Sequence, residues 1–78
     1  MDVKVSAIRH VLTTTDPPRA ERIVRSFRLP REEEACIIRH EIHGESLVQI
    51  AAELSVSPET VKRRRRSGFL KIADTLNV

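Results

Sequence analysis

The 78-residue chain has no tryptophan and no tyrosine, and its two aromatic side chains are Phe27 and Phe69. Proteins that hold single strands or looped RNA stack bases on aromatic platforms, so this composition argues against that mode of recognition. One cysteine, Cys36, cannot staple the chain, which removes a secreted disulfide scaffold. The glycines are Gly44 and Gly68 alone, so there is no glycine-rich loop to cradle a phosphate. No apolar run approaches the length needed to span a bilayer. The opening MDVKVSAIRH lacks the apolar core of a secretory signal, and a reducing cytoplasm is the expected compartment. A chain of this size buries roughly 60 % of its unfolded surface, too little for a deep enzymatic pocket. His40 and His43 have no accompanying nucleophile or oxyanion pocket, so no enzyme is expected.

Charge is abundant but unevenly placed. Residues 57–72 carry six Lys or Arg and one acid, Glu59, for a balance of +5. The remainder carries eight Lys or Arg and ten acids, for a balance of −2. Positive charge gathered on one element is the footprint of a polyanion partner, although a solvated charged face would look the same from charge alone.

Proline, glycine and polar clusters divide the chain into five helical segments with no convincing strand. The expected fold is an all-α bundle with helices near 3–13, 17–28, 31–43, 46–54 and 58–76. Val5, Ile8, Val11 and Leu12 recur at helical spacing in the first. Thr15 or Asp16 can cap the second, with Pro17 in its first turn and Ala20, Ile23, Val24 and Phe27 on one face. Leu29-Pro30 ends it, because the residue before a proline is pushed out of helical geometry. Glu32 to Glu34 suit the N-terminal dipole of the third segment. Ala35, Ile38 and Ile42 form its main stripe, with Ile37 beside it, and Gly44 provides a left-handed cap. Ser46 caps the fourth, whose core positions are Leu47, Ile50, Ala51 and Leu54. Ser57 caps the fifth and Pro58 takes its first position. Val61, Phe69, Ile72, Ala73 and Leu76 give the fifth its inward face.

The stretch SLVQIAAELSVSPETVKRRRRSGFLK, residues 46–71, therefore reads as a helix, the turn Ser55-Val56-Ser57 and a second helix carrying the basic run 62–66. This is a helix-turn-helix, a unit that buries one helix and places the other in the DNA major groove. From Leu29-Pro30 through His43-Gly44, Ser46, Ile50-Ala51, Leu54, Val56-Ser57 and Thr60-Val61-Lys62, the pattern resembles the fourth region of bacterial sigma factors and the related LuxR-type effector domains. The resemblance covers residues 29–78 and divides one domain, 1–78, into that part and an N-terminal helical pair, 1–28. The tail SGFLKIADTL is similar to small phage or prophage transcription regulators that carry this unit alone. The resemblance implies a sequence-specific regulator that binds double-stranded DNA.

In this docking mode the start of the helix 58–70 faces base edges. Ser57, Glu59, Thr60, Lys62 and Arg63 form the expected groove-facing set. Lys62 or Arg63 could donate to guanine O6 and N7, Glu59 could accept from a cytosine amino group, and Thr60 could meet a thymine methyl. Arg64 and Arg66 suit phosphates, and the free N–H groups that begin at Ser46 add a backbone anchor. A single small domain reads few base pairs, so a homodimer, a higher oligomer or RNA polymerase is an expected partner, with the N-terminal helices as the contact. Two rival readings use the same residues: a small terminase subunit in phage DNA packaging, and a protein-interaction module that binds RNA polymerase or a sigma factor.

Two residues depart from the family pattern. Ser55 stands where many such turns have glycine, and a left-handed backbone there would be strained. Arg65 stands where related helices bury an aliphatic side chain, so it must reach water or pair with Glu34 or Glu41. Cys36, His40 and His43 share one helical face at metal-ligand spacing, but three ligands on one helix rarely close a tetrahedral site, and no metal or other cofactor is expected.

Overall fold

The computed structural model describes residues 3–76, and every regular element among them is helical. These elements are α1 (Val3–Thr14), α2 (Pro17–Ser26), α3 (Arg31–Ile37) with a π-helical continuation (Ile38–Ile42), α4 (Leu47–Leu54) and α5 (Pro58–Leu76). The all-α bundle expected from the periodicity is present, and α5 has the expected bounds.

The chain's own stop and start signals explain most of the boundaries. Of the two candidate caps for α2, Asp16 does the work: its carboxylate accepts the Arg19 N–H at 3.2 Å, and Pro17 follows it. α2 stops at Ser26, two residues before its expected end, because Arg28 adopts a left-handed φ of 53°. That conformation is unfavourable for a side chain with a Cβ and was not signalled by the residue type. α3 opens after Pro30 with three glutamates in its first turn and no side-chain cap, so the acidic residues meet the exposed N–H groups electrostatically.

The third segment is not the single α-helix expected over 31–43. After Ile37 the backbone widens, and the His43 N–H donates to the Ile38 carbonyl five residues back, at 3.0 Å. Gly44, at φ 71°, then turns the chain so that the Glu45 N–H reaches the Arg39 carbonyl at 2.9 Å. Its left-handed cap role is as expected.

Two hydrophobic clusters hold the helices together. The larger joins Val5 and Leu12 of α1, Ala20 and Val24 of α2, Ile37 and Ile38, and Phe69 and Ile72 of α5. The smaller joins Cys36, Ile50, Ala51 and Val61, with Leu47, Leu54 and Val56 packed on it. α3 runs between them, which is why Cys36, Ile37 and Ile38 are buried in succession. The expected one-sided stripe of Ala35, Ile38 and Ile42 was therefore too narrow. Ile37 is fully buried, whereas Ala35 and Ile42 are half-buried. Gly68 sets the closeness of α5 to α3, since a Cβ there would lie 2.6 Å from Ile37 Cδ1.

Two expected core positions lie outside. Leu76 is 60 % exposed and Val11 is also exposed, because α1, α2 and the last turn of α5 leave a shallow apolar groove between them. Ile8, Ile23 and Phe27 line the same groove and are half-buried.

Candidate nucleic-acid interface

The helix-turn-helix is built from capped ends and one small core. Ser46 Oγ accepts the Gln49 N–H at 3.0 Å and starts α4. Ser55 ends it in the left-handed region, at φ 57° and ψ 42°, the strained conformation foreseen for that position. The Val56 N–H then closes on the Ala51 carbonyl at 3.0 Å. Ser57 Oγ accepts the Thr60 N–H at 3.2 Å and shares a hydroxyl contact of 2.9 Å with Thr60 Oγ1. Val61 packs on Ile50, Ala51 and Cys36 and fixes the first turns of α5 against α4 and α3.

That anchoring decides how the basic run is displayed. Val61 and Arg65 face inward, and Arg63, two residues from each, stands on the opposite side of the helix. Lys62 and Arg66, four residues apart, share one flank, and Arg64 lies two residues from both, on the other flank. Lys62, Arg63 and Arg66 are exposed, and Arg64 is half-buried. Glu59 is exposed in the first turn of α5, where its charge favours the helix dipole. Ser46 and Ser57 are exposed caps, while Thr60 is half-buried with its hydroxyl engaged by Ser57. All eight residues expected at the interface thus lie on α5 or at the two helix starts.

Arg65 behaves differently from its neighbours. Its side chain is only 15 % exposed, and Nη1 donates to Glu41 Oε1 at 2.8 Å. Of the two acids considered as its partner, Glu41 is the one used. The same oxygen faces Arg9 Nε of α1 at 3.1 Å, and the Glu41 side chain is 5 % exposed. One sheltered carboxylate thus ties α1, the π-helical segment and α5 together. Sequence reasoning did not include Arg9, which is separated from Glu41 by a whole helix and carries no local motif.

A second set of ion pairs braces the loop before α4. Arg39 binds Glu45 through Nη2 at 2.7 Å and also meets Glu53 of α4. The Arg39 hydrogen bond holds the Glu45 carboxyl below its ordinary range. Cys36, His40 and His43 do not converge. Burial pushes the Cys36 thiol up, against the opposing pull of Arg64 and Arg39, and the side chain packs in the smaller cluster. His40 Nδ1 lies 2.9 Å from the Glu45 carbonyl, and His43 Nε2 lies 3.1 Å from Glu21 Oε2 on α2. Among the described residues no helix is long and apolar enough to cross a membrane.

Comparison with known proteins agrees with this geometry. A family model described as sigma-70, region 4 matches residues 28–72, which hold α3, the π-helical segment, α4 and most of α5. No curated protein and no solved structure gives a significant match. α1 and α2 precede the matched region. With a matching model over more than half its length and a capped helix-turn-helix inside the match, the chain belongs to the sigma-70 region 4 family of DNA-binding helix-turn-helix domains.

Proposed function

We propose that the chain is a sequence-specific transcription regulator, bacterial or phage, that places the helix 58–70 in the major groove of double-stranded DNA. The observation that carries this reading is the orientation of the basic run: Lys62, Arg63 and Arg66 are exposed, Arg64 is half-buried on the other flank, and the inward Arg65 is paired with Glu41. A basic helix with no such display would show affinity for polyanions without a reading surface.

Arg63, directly opposite the packed side, is assigned to base edges, with Glu59, Thr60 and Ser57 beside it. Lys62 is shifted in this assignment from base reading to the phosphate set, because it shares its flank with Arg66. Arg64 serves the other flank. The start of α4 offers its first N–H groups to a further phosphate, next to the Ser46 cap. RNA polymerase or a second copy is the proposed partner that adds specificity, and the exposed apolar groove between α1, α2 and the end of α5 is the surface assigned to it.

Four or five phosphate contacts imply a log–log dependence of affinity on salt with a slope of about −4. Fluorescence anisotropy with a labelled duplex over a series of KCl concentrations tests this directly. A salt-independent interaction, or none at low salt, is incompatible with the reading.

A further inference from the structure

α1 and α5 do not pack flush along their whole contact. A cleft of about 310 Å³ opens between them, lined by Arg9 and Val5 of α1 and by Lys62, Arg65, Arg66 and Leu70 of α5. Four cations line this space. Two of them, Arg9 and Arg65, share one carboxylate, Glu41, whose side chain is only 5 % exposed. A concave surface with like charges and low-dielectric walls concentrates positive potential and raises the local concentration of anions. Glu41 Oε1 also lies 3.1 Å from Arg9 Nε, a charge contact that keeps the guanidinium beside the cleft.

The cleft's place on α5 identifies the anion. A helix lodged in the major groove has a sugar-phosphate strand along each flank, and Lys62 and Arg66 form one of those flanks. The cleft is the continuation of that flank onto α1. Exposed Leu70 beside the cations gives the same surface an apolar patch suited to a deoxyribose face.

We propose that the cleft between α1 and α5 seats a backbone phosphate of the bound duplex, with Arg9 as one of its ligands alongside Lys62 and Arg66. This rests on the DNA-binding reading above and extends it. α1, which lies wholly outside the matched residues 28–72, becomes part of the DNA interface as well as of the scaffold. The interface is wider than the helix-turn-helix alone would make it.

The test compares the wild type, Arg9→Gln and Arg9→Lys by anisotropy on two duplexes of different sequence across a KCl series. Losing one phosphate contact reduces the log–log slope by about 0.9, so Arg9→Gln should lose about threefold less affinity between 50 and 200 mM salt than the wild type. Its order of preference between the duplexes should be unchanged. Arg9→Lys should keep the wild-type slope, because lysine retains the charge while giving up the guanidinium Nε that faces Glu41. A wild-type slope in Arg9→Gln overturns the inference alone. An equal fall in Arg9→Gln and Arg9→Lys also overturns it, since it assigns Arg9 to holding the fold through Glu41. Failure of the wild type to bind either duplex overturns the DNA reading and this inference with it.

Discussion

The two halves of α5 are held by different parts of the molecule. The N-terminal half enters the smaller cluster through one side chain, Val61, and leaves most of its surface to solvent. The C-terminal half contributes Phe69 and Ile72 to the larger cluster, on which α1, α2 and α3 converge. The lesson is a division of labour along one continuous helix. A surface proposed to read DNA must stay exposed, so it cannot stabilise itself, and the rest of the same helix supplies the burial. Arg65 and Glu41 stand where the two regimes meet, with a half-buried cation on the inward face paired to a sheltered carboxylate.

Deleting one side chain from each cluster tests this division. Phe69→Ala should cost about 4 kcal/mol, a large part of what a domain of this size possesses, and urea denaturation should show it. Ile50→Ala should cost about 3 kcal/mol, and amide exchange should accelerate in α4 more than in α2. Equal acceleration in both helices would mean that the clusters act as one. At the junction, Glu41→Gln leaves Arg9 and Arg65 facing each other without their shared carboxylate. A fully buried pair would lose more, but Arg9 is 34 % exposed, so about 2 kcal/mol is expected in thermal or chemical unfolding. The smallest effect has the opposite sign. Ser55→Gly should stabilise by about 0.5–1 kcal/mol, because glycine relieves the left-handed strain and gives back part of the gain in chain entropy. A destabilised variant would show that Ser55 is held by something other than its backbone.

Much of the smaller cluster was legible in the sequence because its signals are local. Ser46, Ser57 and Pro58 act within one turn of their own positions, Ile50, Ala51 and Leu54 follow the period of one helix, and Val61 lies one turn into the next. The larger cluster was legible only in part. A helix packed on two sides shows no one-faced stripe, which is why the period sets Ile37 beside the main stripe of Ala35, Ile38 and Ile42 although it is more deeply buried than any of them. Leu76 and Val11 carry core-like periodicity, yet they border an open groove whose existence depends on how three helices meet. The left-handed turn at Arg28 and the π-helical widening after Ile37 depend on tertiary context, and neither has a residue signature here. At the candidate interface, the basic run is plain in the sequence, and so is the need of Arg65 for a partner. The Arg9 contact did not, because nothing in a sequence separated by a whole helix records that two side chains share one carboxylate.

Under the proposed function, the exposed face of α5 reads bases as well as attracting phosphate. The most direct test of that reading is the ratio of affinities for a duplex selected from a random library and a scrambled duplex, at one fixed salt concentration. The wild type should discriminate between them, Arg66→Ala should bind both more weakly with the ratio kept, and Arg63→Ala should bring the ratio close to one. An unchanged ratio in Arg63→Ala would show that α5 holds DNA without reading bases through Arg63.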